Sequence, residues 1–90
     1  MRLDLFLKLS RLCPRRSVAQ KLCDAGFVFL NERPAKPAHS VKINDILVIR
    51  HRDHETTVRV VSVPTGRSIS RRDAHSLIEV LSQRELDPDL

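Results

Sequence analysis

A chain of 90 residues with 41% hydrophobic content is long enough for one core and too short for a second lobe. Sixteen Lys and Arg against eleven Asp and Glu leave a formal charge of +5, which points to a polyanionic partner. Two cysteines make no disulfide framework, and no apolar run nears the roughly 18 residues that span a membrane, so secreted-scaffold and membrane classes are set aside.

From the N-terminus, Leu3, Phe6 and Leu7 recur at i, i+3, i+4, and Leu5, Leu9 and Leu12 at i, i+4, i+7. This spacing predicts a helix over residues 3–12 that Pro14 stops. A second helix is expected over 15–25, with Val18, Ala19, Leu22 and Cys23 inward and Gly26 as its C-terminal cap. From Phe27 the period changes. Phe27-Val28-Phe29-Leu30 is a strand, Asn31-Glu32 a turn before Pro34-Ala35-Lys36, and Asn44-Asp45 a second turn. Ile46–Ile49 and Thr56–Val63 are two further strands around a polar hairpin tip at 51–55, and Pro64-Thr65-Gly66 closes the second of them. Ser70 with Asp73 three residues on resembles a capping box and opens a short helix near 71–77. Leu77–Leu81 is read as an edge strand, and residues 84–90 are expected to fray. The fold class is α+β, in the order α-α-β-β-β with a short helix/strand tail, as one domain over 1–83.

The charge is uneven. Residues 1–52 hold eleven Lys/Arg against four Asp/Glu, whereas 53–90 hold five against seven. Arg2, Lys8, Arg11, Arg15, Arg16 and Lys21 crowd the first 21 residues with Asp4 the only acid among them. If the leucines of the two helices pack inward, these cations gather on one exposed face. Arginine's planar fork suits phosphate oxygens and base faces, and the start of the second helix adds free N–H donors. A solvated basic surface would also have this charge; the local concentration favours binding. Neutralising about five phosphates would cost roughly two to three decades of affinity between 50 and 200 mM salt.

With no Trp or Tyr, and with Phe6, Phe27 and Phe29 in core-like patterns, there is no aromatic surplus for stacking bases. Recognition is therefore expected to read shape and phosphates in folded RNA, or the backbone of duplex DNA. A helix-turn-helix reading of DNA is weaker, since residues 15–25 offer only Gln20 as an amide reader of adenine. Cys13, Cys23, His39, His51, His54 and His75 have no metal-ligand spacing, so neither metal nor other cofactor is expected. Cys23 is taken as core and Cys13 as a partly exposed thiol. No nucleophile elbow or phosphate loop is present, and Asp4 is read as orienting its cationic neighbours rather than acting as a base. The chain is not expected to be an enzyme.

Arg2-Leu-Asp-Leu-Phe-Leu-Lys8, Ser10-Arg11-Leu12, Arg15-Arg16-Ser17 and Ala19 resemble the S4-like RNA-binding domain. The resemblance continues through Gly26-Phe-Val-Phe-Leu-Asn31, Ala35-Lys36-Pro37, Val41-Lys42 and Asp45-Ile-Leu-Val48, covering about residues 1–50. The compact length is most similar to the stand-alone bacterial members, the RqcP branch of ribosome-associated quality control and the heat-shock branch that rescues stalled large subunits. Few cysteines, no membrane run and a poor secretory signal at Met1–Lys8 point to the reduced cytoplasm, and a monomer is expected. The resemblance implies a protein that binds large-subunit rRNA and the tRNA of an obstructed peptidyl-tRNA complex. It implies RqcH as a partner that adds alanine tails, and no membrane. The heat-shock-type rescue role, a general rRNA-binding assembly factor and the guide domain of an RNA-modifying enzyme are the alternatives. The RNA-binding set it implies is Arg2, Asp4, Lys8, Arg11, Arg15, Arg16, Lys21 and Lys36. Where the family often has Asn-Gly, this chain has Asn31-Glu32. A left-handed Glu32 would cost roughly 1 kcal/mol, so another turn type is expected there.

Overall fold

The computed structural model describes residues 1–65 and 69–86. Two helices come first, α1 (Leu3–Leu9) and α2 (Arg16–Asp24). Strands β1 (Val28–Leu30), β2 (Arg33–Pro34), β3 (Ile46–His51) and β4 (His54–Val60) follow, then helix α3 (Arg71–Ala74) and strand β5 (Ile78–Glu85).

Helix α1 buries Leu3, Phe6, Leu7 and Leu9, as the spacing requires. It ends three residues earlier than expected because Arg11 turns left-handed, with φ 66°. The Arg11 amide then donates to the Lys8 carbonyl and the Cys13 amide to that of Leu7. Helix α2 buries Ala19, Leu22 and Cys23 and ends in a full Schellman motif. Gly26, at φ 82°, donates to the Cys23 carbonyl, and the Phe27 amide to that of Leu22. A methyl group at Gly26 would meet nothing within 4 Å, so the backbone conformation alone calls for glycine there.

The five strands form one antiparallel sheet in the order β2-β1-β3-β4-β5. Val28, Leu47, Ile49, Val58 and Val60 project from one face into the core shared with Leu3, Phe6, Leu7, Ala19 and Leu22. Three expectations are corrected. The segment after the first turn is a strand, β2, too short to leave a periodic signal; its Pro34 is tolerated because β2 lies at the sheet's edge. The hairpin tip shrinks to Arg52-Asp53, because Arg50 pairs with Glu55 and His51 with His54. β5 runs past Leu81, so Arg84 and Glu85, expected to fray, pair with Glu55 and His54. Gly66 and residues 87–90, also assigned at the sequence level, lie outside the described residues.

Phe27 is a further correction: it is 47% exposed. A sheet covered on one side admits only alternate residues of a run to the core. In Phe27–Leu30 the inward places belong to Val28 and Leu30, and Phe29 is only partly buried. The short helix opens as expected, with the Asp73 amide donating to Ser70 Oγ at 3.1 Å.

Asn31 and Glu32 take φ values of 50° and 71°, the left-handed pair of a type I′ hairpin turn, not the other type expected. Asn31 holds it there. Its amide donates to the Ile46 carbonyl, its Oδ1 accepts from the Ile46 amide at 2.8 Å, and its Nδ2 donates to Asp45. These bonds join the first turn to the second, where Asn44 is also left-handed, and Glu32 bears the strain. Replacing Glu32 by Gly should therefore raise stability by about 1 kcal/mol, read as a Tm increase of about 4–8 °C for a domain of this size; an unchanged or lower Tm would contradict the strain at Glu32.

Candidate nucleic-acid interface

The basic surface is organised by a carboxylate. Asp4, in the first turn of α1, is fully buried, and an isolated charge in that position would be costly. It is fully partnered instead. Its Oδ1 accepts from the Leu5 amide at 2.8 Å and from Arg2 Nε at 3.2 Å. Its Oδ2 accepts from Gln20 Nε2 at 2.8 Å and lies 3.1 Å from Arg16 Nε. Burial by itself raises the carboxyl's pKa; the bonds from Gln20, Arg16, Arg2 and Leu5 outweigh it and hold it below the ordinary value.

This geometry draws the start of α2 onto the start of α1. Arg2, which precedes α1, and Arg16, the first residue of α2, share one acceptor while their side chains stay about half exposed, at 51% and 43%. Arg15 is adjacent as the N-cap of α2, exposed and with no side chain capping the helix. Lys36 joins from the sheet side, because residues 37–41 are tied to the N-terminus. Leu3 and Asp4 amides donate to the His39 and Pro37 carbonyls, and the Val41 amide to Met1. Just before that segment, the Lys36 amide donates to His39 Nδ1 at 3.2 Å.

Lys8 and Arg11 sit at the other end of α1, where with Leu9, Pro14 and Ile69 they line a shallow depression of about 110 Å³. Arg11 occupies the left-handed position after a helix that is ordinarily given to glycine, the place Gly26 takes after α2. An arginine there is displayed at a backbone cost of roughly 1 kcal/mol. Lys21 is exposed in the last turn of α2, and no described contact links it to the other cations.

Asp4 orients Arg2 and Arg16, in keeping with the sequence reading, and has no exposed surface of its own to offer a ligand. Two residues differ from the places considered for them. Gln20 is no reader of adenine, since its amide is held by Asp4; its place one turn after Arg16 on the same helix face was the available signal. Cys13 is fully buried rather than partly exposed, and burial pushes its thiol up to about 11, as it does that of Cys23, so neither carries thiolate at neutral pH.

The S4 domain family pattern matches residues 1–47, the stretch that holds α1, α2 and the first strands. A protein of Halalkalibacterium halodurans named RQC P-site tRNA stabilizing factor is 37% identical over 96% of each chain. One of the same name from Streptococcus pneumoniae is 32% identical over the whole of both. Among solved structures, the trimeric heat shock protein 15 of Vibrio cholerae superposes with a TM-score of 0.80 at 29% identity, covering 91% of this chain and 82% of that one.

Two outcomes separate arrangement from charge. Asp4→Asn raises the net charge yet should weaken RNA binding, because Arg2 and Arg16 lose their shared anchor; tighter binding would refute the anchoring. It should also cost about 1–3 kcal/mol at neutral pH, as a buried group loses its partners. A carboxyl whose pKa is lowered on folding stabilises fully above its ordinary value of 3.8, and that contribution is lost as pH falls through the folded value. The gap in urea midpoint between parent and variant should thus close below that pH. Arg11→Gly should leave stability unchanged or raise it by up to about 1 kcal/mol while RNA affinity falls; a loss of both would mean that Arg11 serves the fold.

Proposed function

This chain belongs to the S4 domain family, and from that premise we propose that it is a non-enzymatic factor of ribosome-associated quality control. In this role it binds large-subunit rRNA and the peptidyl-tRNA of an obstructed large subunit, and holds the tRNA in place. The observation that carries the reading is the arginine pair on Asp4, flanked by Arg15 and Lys36. The two bonded guanidinium groups are held in place and their planar forks match phosphate oxygens, on the segment shared with relatives whose name states tRNA stabilisation.

The contacting set is then Arg2, Lys8, Arg11, Arg15, Arg16, Lys21 and Lys36, with Asp4 positioning two of them. Binding through phosphates and shape suits a partner that is already folded, since none of these residues reaches for a splayed base. A tRNA-holding factor leaves peptide elongation to another protein, which in this reading is RqcH, and its place is the cytoplasm with the ribosomes. It acts as one copy. The outer edge of the sheet, β5, carries Glu79, Arg84 and Glu85, and a bulge at Leu81, which has no residue opposite it between the Val58–Val80 and Thr57–Ser82 pairs. Charges and bulges of this kind discourage edge-to-edge pairing.

Co-sedimentation tests the reading. The protein should travel with large subunits that carry peptidyl-tRNA in preference to vacant ones. That association should be lost when Arg11 and Arg15, neither bonded to Asp4, are both changed to Glu. Equal affinity for vacant subunits, or unchanged association of the double variant, would overturn it.

A further inference from the structure

The sheet has a second face, and the helices do not cover it. Strand pleating sends neighbours to opposite sides, so with Val28, Leu47, Ile49 and Val58 in the core, Phe29, Val48, Arg50 and Thr57 stand on the other side. The β1–β3 ladder continues one residue before β1, where the Arg50 amide donates to the Phe27 carbonyl at 2.8 Å. Phe27 thereby lies opposite Arg50, on the face of Phe29, with 47% of its surface exposed.

Arg50 is held in place. Its guanidinium lies 5.7 Å from the centroid of the Phe29 ring. Its Nε donates to Glu55 Oε2 at 2.8 Å, while Arg84 reaches the other oxygen, Oε1, at 2.9 Å from Nη2. The three side chains come from β3, β4 and β5 and form a ladder across the sheet. The Arg50 bond is the largest influence on the Glu55 carboxyl, which is held ionised below its ordinary range. Two guanidinium groups share one nearly buried carboxylate, so the ladder keeps a surplus positive charge; nearby, Arg59 and Glu79 cancel. An exposed aromatic ring, a fixed guanidinium plane beside it and an unbalanced positive charge match a nucleotide better than an apolar protein surface. The ring accepts the base's π face and the arginines its phosphate.

We propose that the open face of the sheet is a second RNA contact, which stacks an unpaired base of a single-stranded segment on Phe27 beside Arg50. The inference rests on the RNA-binding reading above and adds a different kind of contact on the opposite side of the molecule. Folded RNA is gripped by phosphates at the helices, and a loose nucleotide is stacked at the sheet.

The test is an NMR titration of the full chain with a heptameric oligoadenylate and, separately, with a folded hairpin RNA. Oligoadenylate should shift the amides of Phe27, Phe29, Val48 and Arg50. Phe27→Ala should weaken its binding roughly five- to a hundredfold, with Phe27→Tyr restoring it. Because Phe27 is exposed, the Tm of either variant should stay near that of the parent, which keeps the affinity change interpretable. Arg11→Glu with Arg15→Glu should abolish hairpin binding and leave the sheet-face shifts intact. If oligoadenylate shifts only residues 2–21 and Phe27→Ala binds it as the parent does, the proposal fails and the helical reading survives. If neither RNA shifts either surface, both fail. If Phe27→Ala loses association with large subunits while its oligoadenylate affinity is unchanged, the face docks a protein and the proposal is overturned.

Discussion

A carboxylate with no solvent-exposed surface stays ionised only if every direction it faces offers a donor or a positive charge. Asp4 meets that condition with five donor contacts, from the Leu5 amide, Gln20, Arg16 and two nitrogens of Arg2. The partners come from both helices and from the residue that precedes the first, so the interaction ties the relative placement of α1 and α2 to the placement of two arginines. Core packing of Leu3, Phe6, Leu7, Ala19 and Leu22 supplies the cohesion. Hydrophobic burial is non-directional, and the carboxylate sets the register in which the helices meet. The stability of the pair and the shape of the basic surface therefore have a common origin.

Backbone strain has a similar distribution. Among the described residues, five other than glycine take positive φ: Arg11, Asn31, Glu32, Asn44 and Arg52. The two asparagines are of a residue type that tolerates that conformation; Asn31 bonds to Asp45 and Ile46 and so joins the two turns, while Asn44 Oδ1 accepts from Arg59. The arginines have no such excuse. Arg11 closes α1 and Arg52 begins the two-residue hairpin turn before β4, so cations stand at sharp, solvent-facing corners where glycine would be less strained. At Arg11 the corner lies within the proposed contact set, which gives the strain a use.

The two faces of the molecule differ in the chemistry they display. The helical side presents cations anchored by a buried acid and exposes no aromatic ring. The sheet side presents Phe27 and the Arg50–Glu55–Arg84 ladder, in which the acid is again nearly buried beneath its arginines. In both places one carboxylate fixes the direction of two guanidinium groups. This lowers the conformational entropy that each would lose on meeting a phosphate or a base.

The sequence by itself determined both N-terminal helices, the strand run from Val28 to Leu30, the β3–β4 hairpin, the Ser70 cap and the basic set, and its S4-like motif named the family. These are local properties: helical spacing, alternation, a glycine at a helix end, cations close in number along the chain. Tertiary structure alone decided the rest. Whether Phe27 lies inside depends on which face of the sheet the helices cover, and the run Phe27–Leu30 looks the same either way. Whether Gln20 reads a base or braces Asp4 depends on how two helices meet across 16 residues of chain. The length of β5 depends on β4 being present to pair with it, since Ser82–Glu85 carries no hydrophobic alternation of its own. Left-handed Glu32 was legible as a cost but not as a choice, because the bonds that impose it come from Asp45 and Ile46 on the next turn.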